Sequence, residues 1–109
     1  MSQFENLQGG DGAGLGHSDE MLFRVLARRN RLIGRWAAGQ MGLSEEESEV
    51  YSAEIVRAEF EEATGAAIVI KLLGDLTAAG VDIDEAEIRD ALGRKLVEAR
   101  RQIIEQTNQ

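Results

Sequence analysis

The chain contains no cysteine, no proline and a single histidine among its 109 residues. Without cysteine it has no disulfide framework, no thiolate metal site and no cysteine nucleophile. Without proline, no ring interrupts a helix. The one histidine, His17, lies in a glycine-rich stretch, and the sequence has no Glu-x-x-His pair of the kind that binds metals in helical bundles. We therefore expect a protein that is not an enzyme, with no catalytic residues, no metal site and no cofactor.

Aromatic residues and long apolar runs are also scarce. Aromatics make up 5% of the chain, so the core must be built from Leu, Ile, Val and Ala. The longest apolar stretch, GAAIVIKLLG at 65–74, is interrupted by Lys71 and is far shorter than the roughly 20 residues of a membrane span. A formal net charge of -8 disfavours nucleic acid, which needs a basic surface. We predict one soluble domain with no secretory signal, no direct membrane insertion and no nucleic-acid partner.

Four stretches show the apolar spacing of amphipathic helices. Capping boxes, in which two side chains bond each other's backbone, predict where two of them begin: Ser44–Glu47 and Asp84–Glu87. Ser18 is the expected N-cap of the first helix, and Gly42 is its expected stop. The four predicted helices span about 19–41, 45–63, 66–79 and 85–106.

The third stretch also carries a strand-like signal. The β-branched run IVI at 68–70 is typical of a buried strand. No second strand is available to pair with it, and Leu72 and Leu76 continue from it at helical spacing, which favours a helix. We predict an all-α protein: a small four-helix bundle at 18–107, preceded by a flexible glycine-rich tail at 1–17.

Arginines cluster in the first predicted helix, although the chain as a whole is acidic. Their spacing places four of them on one side of the helix, opposite Ile33 and Trp36: Arg24, Arg28, Arg31 and Arg35. One hypothesis is that this arginine stripe neutralises the acidic surface of the second helix. The other is that it binds an anionic partner or a nucleotide phosphate through guanidinium forks. The acidic helix that follows in the same chain favours the first hypothesis.

Arg29 differs from the stripe because it falls within the apolar face of the same helix. An unpaired guanidinium is costly to bury, so Arg29 must pair with a carboxylate or lie at a contact. We therefore expect Arg29 to be the stronger candidate for a contact with a partner.

Three stretches carry a family resemblance: ARRNRLIGRWAA at 27–38, SAEIVRAEFEEA at 52–63 and GDLTAAGVDIDEAEIRDAL at 74–92. In this order and spacing they closely resemble the zeta subunit family, the ATPase inhibitors of the F-type ATP synthase of alpha-proteobacteria. The likeness covers about residues 17–106. It implies a regulatory protein of the cytoplasm, peripheral to the inner face of the cytoplasmic membrane through the synthase.

The resemblance also implies how such a protein acts. A four-helix domain docks on the catalytic head, formed by the alpha, beta and gamma subunits, and blocks ATP hydrolysis while sparing synthesis. An N-terminal segment that is disordered alone becomes helical as it inserts, which couples folding to binding. The partner-binding residues expected here are those of the tail, followed by the first helix: Phe4, Glu5, His17, Asp19, Arg24, Arg28, Arg29, Arg31 and Arg35.

The N-terminal segment departs from the family pattern, which is charged and prone to form a helix. Here LQGGDGAGLG at 7–16 is a poor helix former. An alternative function is therefore a diverged paralogue without inhibitory activity. It would act as a nucleotide-sensing module with weak nucleotide binding, or as an adaptor for another protein, through the glycine-rich tail and the arginine stripe.

Overall fold

The computed structural model describes residues 12–59 and 65–107, with only the backbone described at 12–18 and at Glu59. These residues form four helices: α1 (Gly12–Gln40), α2 (Glu45–Glu59), α3 (Ala66–Ala78) and α4 (Glu85–Thr107). No strand occurs in the described ranges. The prediction of an all-α four-helix protein is confirmed. The β-branched run at 68–70 lies in a helix, where Ile68 and Val69 are buried in the core and Ile70 is exposed.

Both predicted capping boxes are present. At the start of α2, the Glu47 amide donates to the Ser44 hydroxyl at 3.1 Å, and the Ser44 amide donates to the Glu47 carboxylate at 2.8 Å. At the start of α4, the same exchange joins Asp84 and Glu87 at 2.9 and 3.0 Å. Each box provides acceptors for two backbone amides, neither of which has an intrahelical acceptor. Short local patterns therefore fix where these two helices begin.

Two glycines in the left-handed region terminate α1 and α3. Gly42 has φ 75° and Gly80 has φ 84°, a conformation that strains any residue with a Cβ. In each case the next amide bonds the carbonyl five residues back, from Leu43 to Ala38 at 3.0 Å and from Val81 to Leu76 at 2.9 Å. This pattern is the Schellman ending of a helix. The prediction that Gly42 stops the first helix is confirmed.

The predicted start of the first helix is wrong. The helix begins at Gly12, not at Asp19, so Ser18 lies inside α1 and is not its N-cap. Each glycine destabilises a helix by about 1 kcal/mol relative to alanine, so the glycines at 12, 14 and 16 suggested that the helix begins after them. The physical reason for the difference is that extending an already formed helix avoids the cost of nucleation. Residues 1–11 of the predicted tail lie outside the described residues.

The main core joins all four helices. Each helix contributes fully buried side chains to it: Ile33, Ile55, Ile68, Leu72, Leu76 and Ile88. Trp36 is partly buried and packs against this cluster. A second, smaller cluster is formed by Val25 of α1 with Ala99 and Ile103 of α4. The two helices are antiparallel, so the N-terminal half of α1 lies beside the C-terminal half of α4. We call this two-helix region the α1–α4 arm.

A polar network joins α2 to α3 beside the main core. The Tyr51 hydroxyl donates to the Asp75 carboxylate at 2.7 Å. The Lys71 ammonium lies 3.0 Å from Asp75 and 3.1 Å from Glu54, and 5.7 Å from the centroid of the Tyr51 ring. Burial raises the pKa of Tyr51, and the hydrogen bond to the Asp75 carboxylate raises it further, because both disfavour a second negative charge there.

Tyr51 is expected to resist ionisation while the protein is folded. Its pKa is raised in the folded chain, so the stability it provides is complete below about pH 10 and is lost as the pH rises above that value. Tyr51 is the single tyrosine, so tyrosinate absorbance reports on it alone. We expect tyrosinate to appear only above its ordinary range, and Tyr51→Phe to lose less stability above pH 10. Ionisation with an ordinary midpoint in folded protein would contradict this account.

Candidate partner-binding surface

The arginine stripe forms one wall of an open groove of about 570 Å³. α1 supplies this wall, α4 supplies the other through Gln102, Ile103 and Gln106, and Val56 of α2 also lines the groove. We call it the arginine groove. Its lining combines apolar side chains, such as Leu32, with the guanidinium groups of the stripe. Such a surface can accept an anionic group and an apolar side chain from the same partner.

Arg31 and Arg35 pair with carboxylates of α2. Arg31 lies 3.1 Å from Glu49, and Arg35 lies 2.6 Å from Glu45 and 2.8 Å from Glu49. The hydrogen bonds to Glu45 and Glu49 raise the pKa of Arg35. The hypothesis of an internal charge match is therefore correct for these two arginines. Their charge is already balanced within the chain.

Arg24 and Arg28 do not pair with carboxylates among the described residues, so the hypothesis of an internal charge match does not apply to them. Arg28 faces α4, where it donates to the side-chain carbonyl oxygens of Gln102 at 2.7 Å and Gln106 at 3.3 Å. Arg24 is exposed and has no partner among the described residues. The two amides bring no negative charge, so the half of the stripe nearer the start of α1 remains positive. The i,i+4 spacing of Gln102 and Gln106 is a signal that sequence reasoning did not use.

Arg29 lies inside the fold. Its side chain is 7% exposed, and its Nε donates to the Asn30 amide oxygen at 2.9 Å. Its guanidinium lies beside Gly65, the residue before α3. Arg29 is therefore buried next to the residue that precedes α3, and its expected contact with a partner stays a prediction. Asn30, also fully buried, was not singled out from sequence, although it lies three residues before Ile33 and seven before Ala37, a spacing that places it on the buried face of α1.

The remaining predicted contact residues belong to the first part of the chain. Phe4 and Glu5 lie outside the described residues. His17 is within α1, where only the backbone is described, and Asp19 is exposed on the same helix. Asp19 lies two turns from the helix start, so it does not interact with the positive end of the helix dipole as the predicted boundary implied.

Neither a membrane span nor a metal cluster is found in residues 12–59 and 65–107. None of the helices there combines the length and apolarity needed to cross a membrane. In the same ranges, no three His, Cys, Asp or Glu side chains lie close enough together to hold a metal ion.

Comparison with known protein families identifies the family of this chain. A model of the family described as ATPase inhibitor subunit zeta matches residues 1–102. The chain belongs to the ATPase inhibitor subunit zeta family. The match includes the arginine stripe and the residues that precede α1. The resemblance noted in the sequence is therefore confirmed over nearly the whole chain.

A solved structure supports the same fold. A protein determined by solution NMR is 38% identical and superposes with a TM-score of 0.70, over 79% of this chain and 98% of that one. No curated protein matches the chain. The zeta family assignment indicates a regulatory role as an ATPase inhibitor of the ATP synthase.

Proposed function

We propose that this zeta-family chain binds the catalytic head of the F-type ATP synthase and blocks ATP hydrolysis. The observation that carries the proposal is the family match over residues 1–102, because it extends through the N-terminal segment as well as the bundle. In this proposal the chain has no catalytic activity of its own, and its location at the inner face of the membrane follows from its partner.

The architecture supports two separate roles: the bundle docks on the head, and the N-terminal segment inhibits. α1 is one continuous helix from Gly12 to Gln40, and its second half is held in the main core by Ile33 and Ala37. A helix transmits position along its length, so a bundle docked on the head fixes where the start of α1 points. The N-terminal segment then enters the head, between the catalytic subunits and the central stalk, as a wedge.

The unbalanced part of the arginine groove would supply an electrostatic contact. Arg24 and Arg28 are not neutralised by carboxylates in the described residues, whereas Arg31 and Arg35 are. Guanidinium groups form charge-assisted bonds with carboxylates of a partner, and these are stronger than neutral hydrogen bonds. We therefore assign the contact to Arg24 and Arg28, with an acidic surface of the head as its complement.

The Arg24→Gln/Arg28→Gln double variant is expected to bind the head about 10- to 150-fold more weakly, because removing charge-assisted bonds costs about 1.5–3 kcal/mol. Arg31→Gln is the matched control, and it should bind nearly as the unmodified chain does because Glu49 already balances its charge. Affinities are measured by calorimetry at two salt concentrations, since screening should weaken the unmodified chain more than the double variant. Equal losses in both variants would contradict the assignment.

Titration of purified protein into the cognate catalytic head tests the function itself. ATP hydrolysis is expected to fall to a low plateau at saturating protein, in parallel with binding. Binding without any slowing of hydrolysis would reject inhibition and leave an adaptor role. No binding, together with a saturable calorimetric response to ATP or ADP, would favour the nucleotide-sensing paralogue.

A further inference from the structure

Two glutamines on α4 hold the guanidinium of Arg28. Arg28 Nη1 donates to the Gln102 side-chain oxygen at 2.7 Å, and Nη2 donates to the Gln106 side-chain oxygen at 3.3 Å. The glutamines are four residues apart, so they lie on one face of α4, one turn after the other. Because each bond comes from a different nitrogen of the planar fork, the two together restrict its rotation. We call Gln102 and Gln106 the amide pair.

The Gln102 amide is oriented by its neighbours on α4. Its nitrogen donates to the Glu98 carboxylate at 3.4 Å, which leaves its oxygen to accept from Arg28. The charge of Glu98 is balanced in turn by Lys95, whose ammonium lies 3.3 Å away. An amide that donates to a carboxylate is a better acceptor for a cation, because hydrogen bonds in a chain polarise one another. The Gln102 amide therefore has one favoured orientation, with its oxygen toward Arg28.

Arg31 of the same helix shows what a carboxylate does in the place of an amide. It is also held by a side chain of a neighbouring helix, but its partner is the Glu49 carboxylate at 3.1 Å. A carboxylate holds a guanidinium and cancels its charge, whereas an amide oxygen holds it and leaves the positive charge in place. In the described part of the chain, the amide pair uses only two of the N–H donors of Arg28. Arg28 therefore has a set position, while its charge and its other donors stay available.

We propose that Gln102 and Gln106 are positioning residues that hold Arg28 ready for a carboxylate of the partner. All three side chains line the arginine groove, so an acceptor that enters the groove meets a guanidinium already in place. A long side chain that becomes ordered only on binding lowers the affinity, and an arginine ordered beforehand avoids most of that loss. The inference rests on the proposed function for the identity of the partner. The ordering of Arg28 is a property of the isolated chain.

Arginine side-chain NMR of the isolated chain tests the positioning without the synthase. Relaxation of the Nε–H groups should show that Arg28 is ordered and that Arg24, which has no partner among the described residues, is mobile. Gln102→Met/Gln106→Met keeps the length of both side chains and removes both acceptors, so it should make Arg28 nearly as mobile as Arg24. If Arg28 is as mobile as Arg24 in the unmodified chain, the proposal is overturned, whether or not the chain binds the head.

Binding to the catalytic head tests why the partners of Arg28 are amides. Gln102→Glu keeps the shape of the side chain but places a carboxylate beside Arg28, so the affinity should fall about tenfold. The salt dependence of binding should also weaken, because one fewer charge contributes to it. Gln40→Glu is the matched control: it adds the same charge at the exposed last residue of α1, and it should bind as the unmodified chain does. Equal affinities of the two variants would overturn the proposal.

The Gln102→Met/Gln106→Met variant separates positioning from charge. It should bind the head about two- to tenfold more weakly with unchanged salt dependence, because the ordering is lost and the charge is kept. In an Arg28→Gln background the same change should have no effect, and an equal loss there would overturn the proposal in favour of a purely structural role. An ordered Arg28 in a chain that does not bind the head would support the positioning and reject the proposed function. Melting curves check the fold, since neither glutamine belongs to a hydrophobic cluster.

Discussion

Gly34→Ala is expected to lower the free energy of unfolding by about 2–3 kcal/mol, a large loss for one methyl group. An added Cβ at this position would lie 2.7 Å from the Ser52 Cα and 3.1 Å from the Ser52 Cβ. The first of these atoms is backbone, so α1 and α2 must move apart to make room. Separating them also disturbs Ile55, which is fully buried in the main core.

Gly39→Ala is the matched control for this prediction. It lies in the same helix, five residues later, and an added Cβ there meets nothing within 4 Å. Alanine should therefore stabilise the protein by roughly 0.5–1 kcal/mol through its higher helix propensity. Thermal unfolding of both variants should shift in opposite directions, by about 4–8 °C for each kcal/mol. Two shifts of the same sign would show that close helix packing at Gly34 is not a determinant of this fold.

Deletion of residues 1–18 is expected to abolish inhibition of ATP hydrolysis while leaving the bundle folded. The deletion ends before Met21 and Val25, the first described side chains that pack in the α1–α4 arm, so both hydrophobic clusters keep all of their described members. The physical reason for the loss is that the wedge is removed and only the docking domain remains. The truncated chain should leave ATP hydrolysis unchanged at a concentration at least about tenfold above the half-inhibitory concentration of the full chain.

Circular dichroism and binding measurements control for damage to the bundle. The truncated chain should unfold at nearly the same temperature as the full chain and should still bind the head through Arg24 and Arg28. A shorter deletion, of residues 1–11, leaves all of α1 in place and separates the two parts of the segment. Full inhibition by the chain that lacks residues 1–18 would place the inhibitory contact within the bundle.

Several features of the fold could be predicted from sequence because they depend on a few neighbouring residues. Ser44 with Glu47, and Asp84 with Glu87, form the expected capping boxes, and Gly42 ends α1 as expected. The start of α1 could not be predicted in this way. Glycines argue locally against a helix, but they extend a helix that is held by the packing of Val25, Ile33 and Ala37, and a local pattern does not contain that packing.

Only the part of the candidate surface that depends on spacing within one helix could be predicted from sequence. Helical spacing placed the arginine stripe on one side of α1, but the neighbours of each arginine depend on how α2 and α4 pack. Arg31 and Arg35 meet carboxylates of α2, whereas Arg28 meets amides of α4. The burial of Arg29 beside Gly65 depends on where α3 begins in space. These contacts join residues far apart in the chain, so spacing within one helix could not reveal them.

The most direct test of inhibition in one direction compares hydrolysis and synthesis in the same membranes. Inverted vesicles from cells that lack this chain are assayed for ATP hydrolysis and for proton-driven ATP synthesis, before and after purified protein is added. The account predicts that hydrolysis falls severalfold while synthesis is unchanged. With the chain lacking residues 1–18, both hydrolysis and synthesis should be unchanged. Unchanged hydrolysis with the full chain bound to the vesicles would contradict the account.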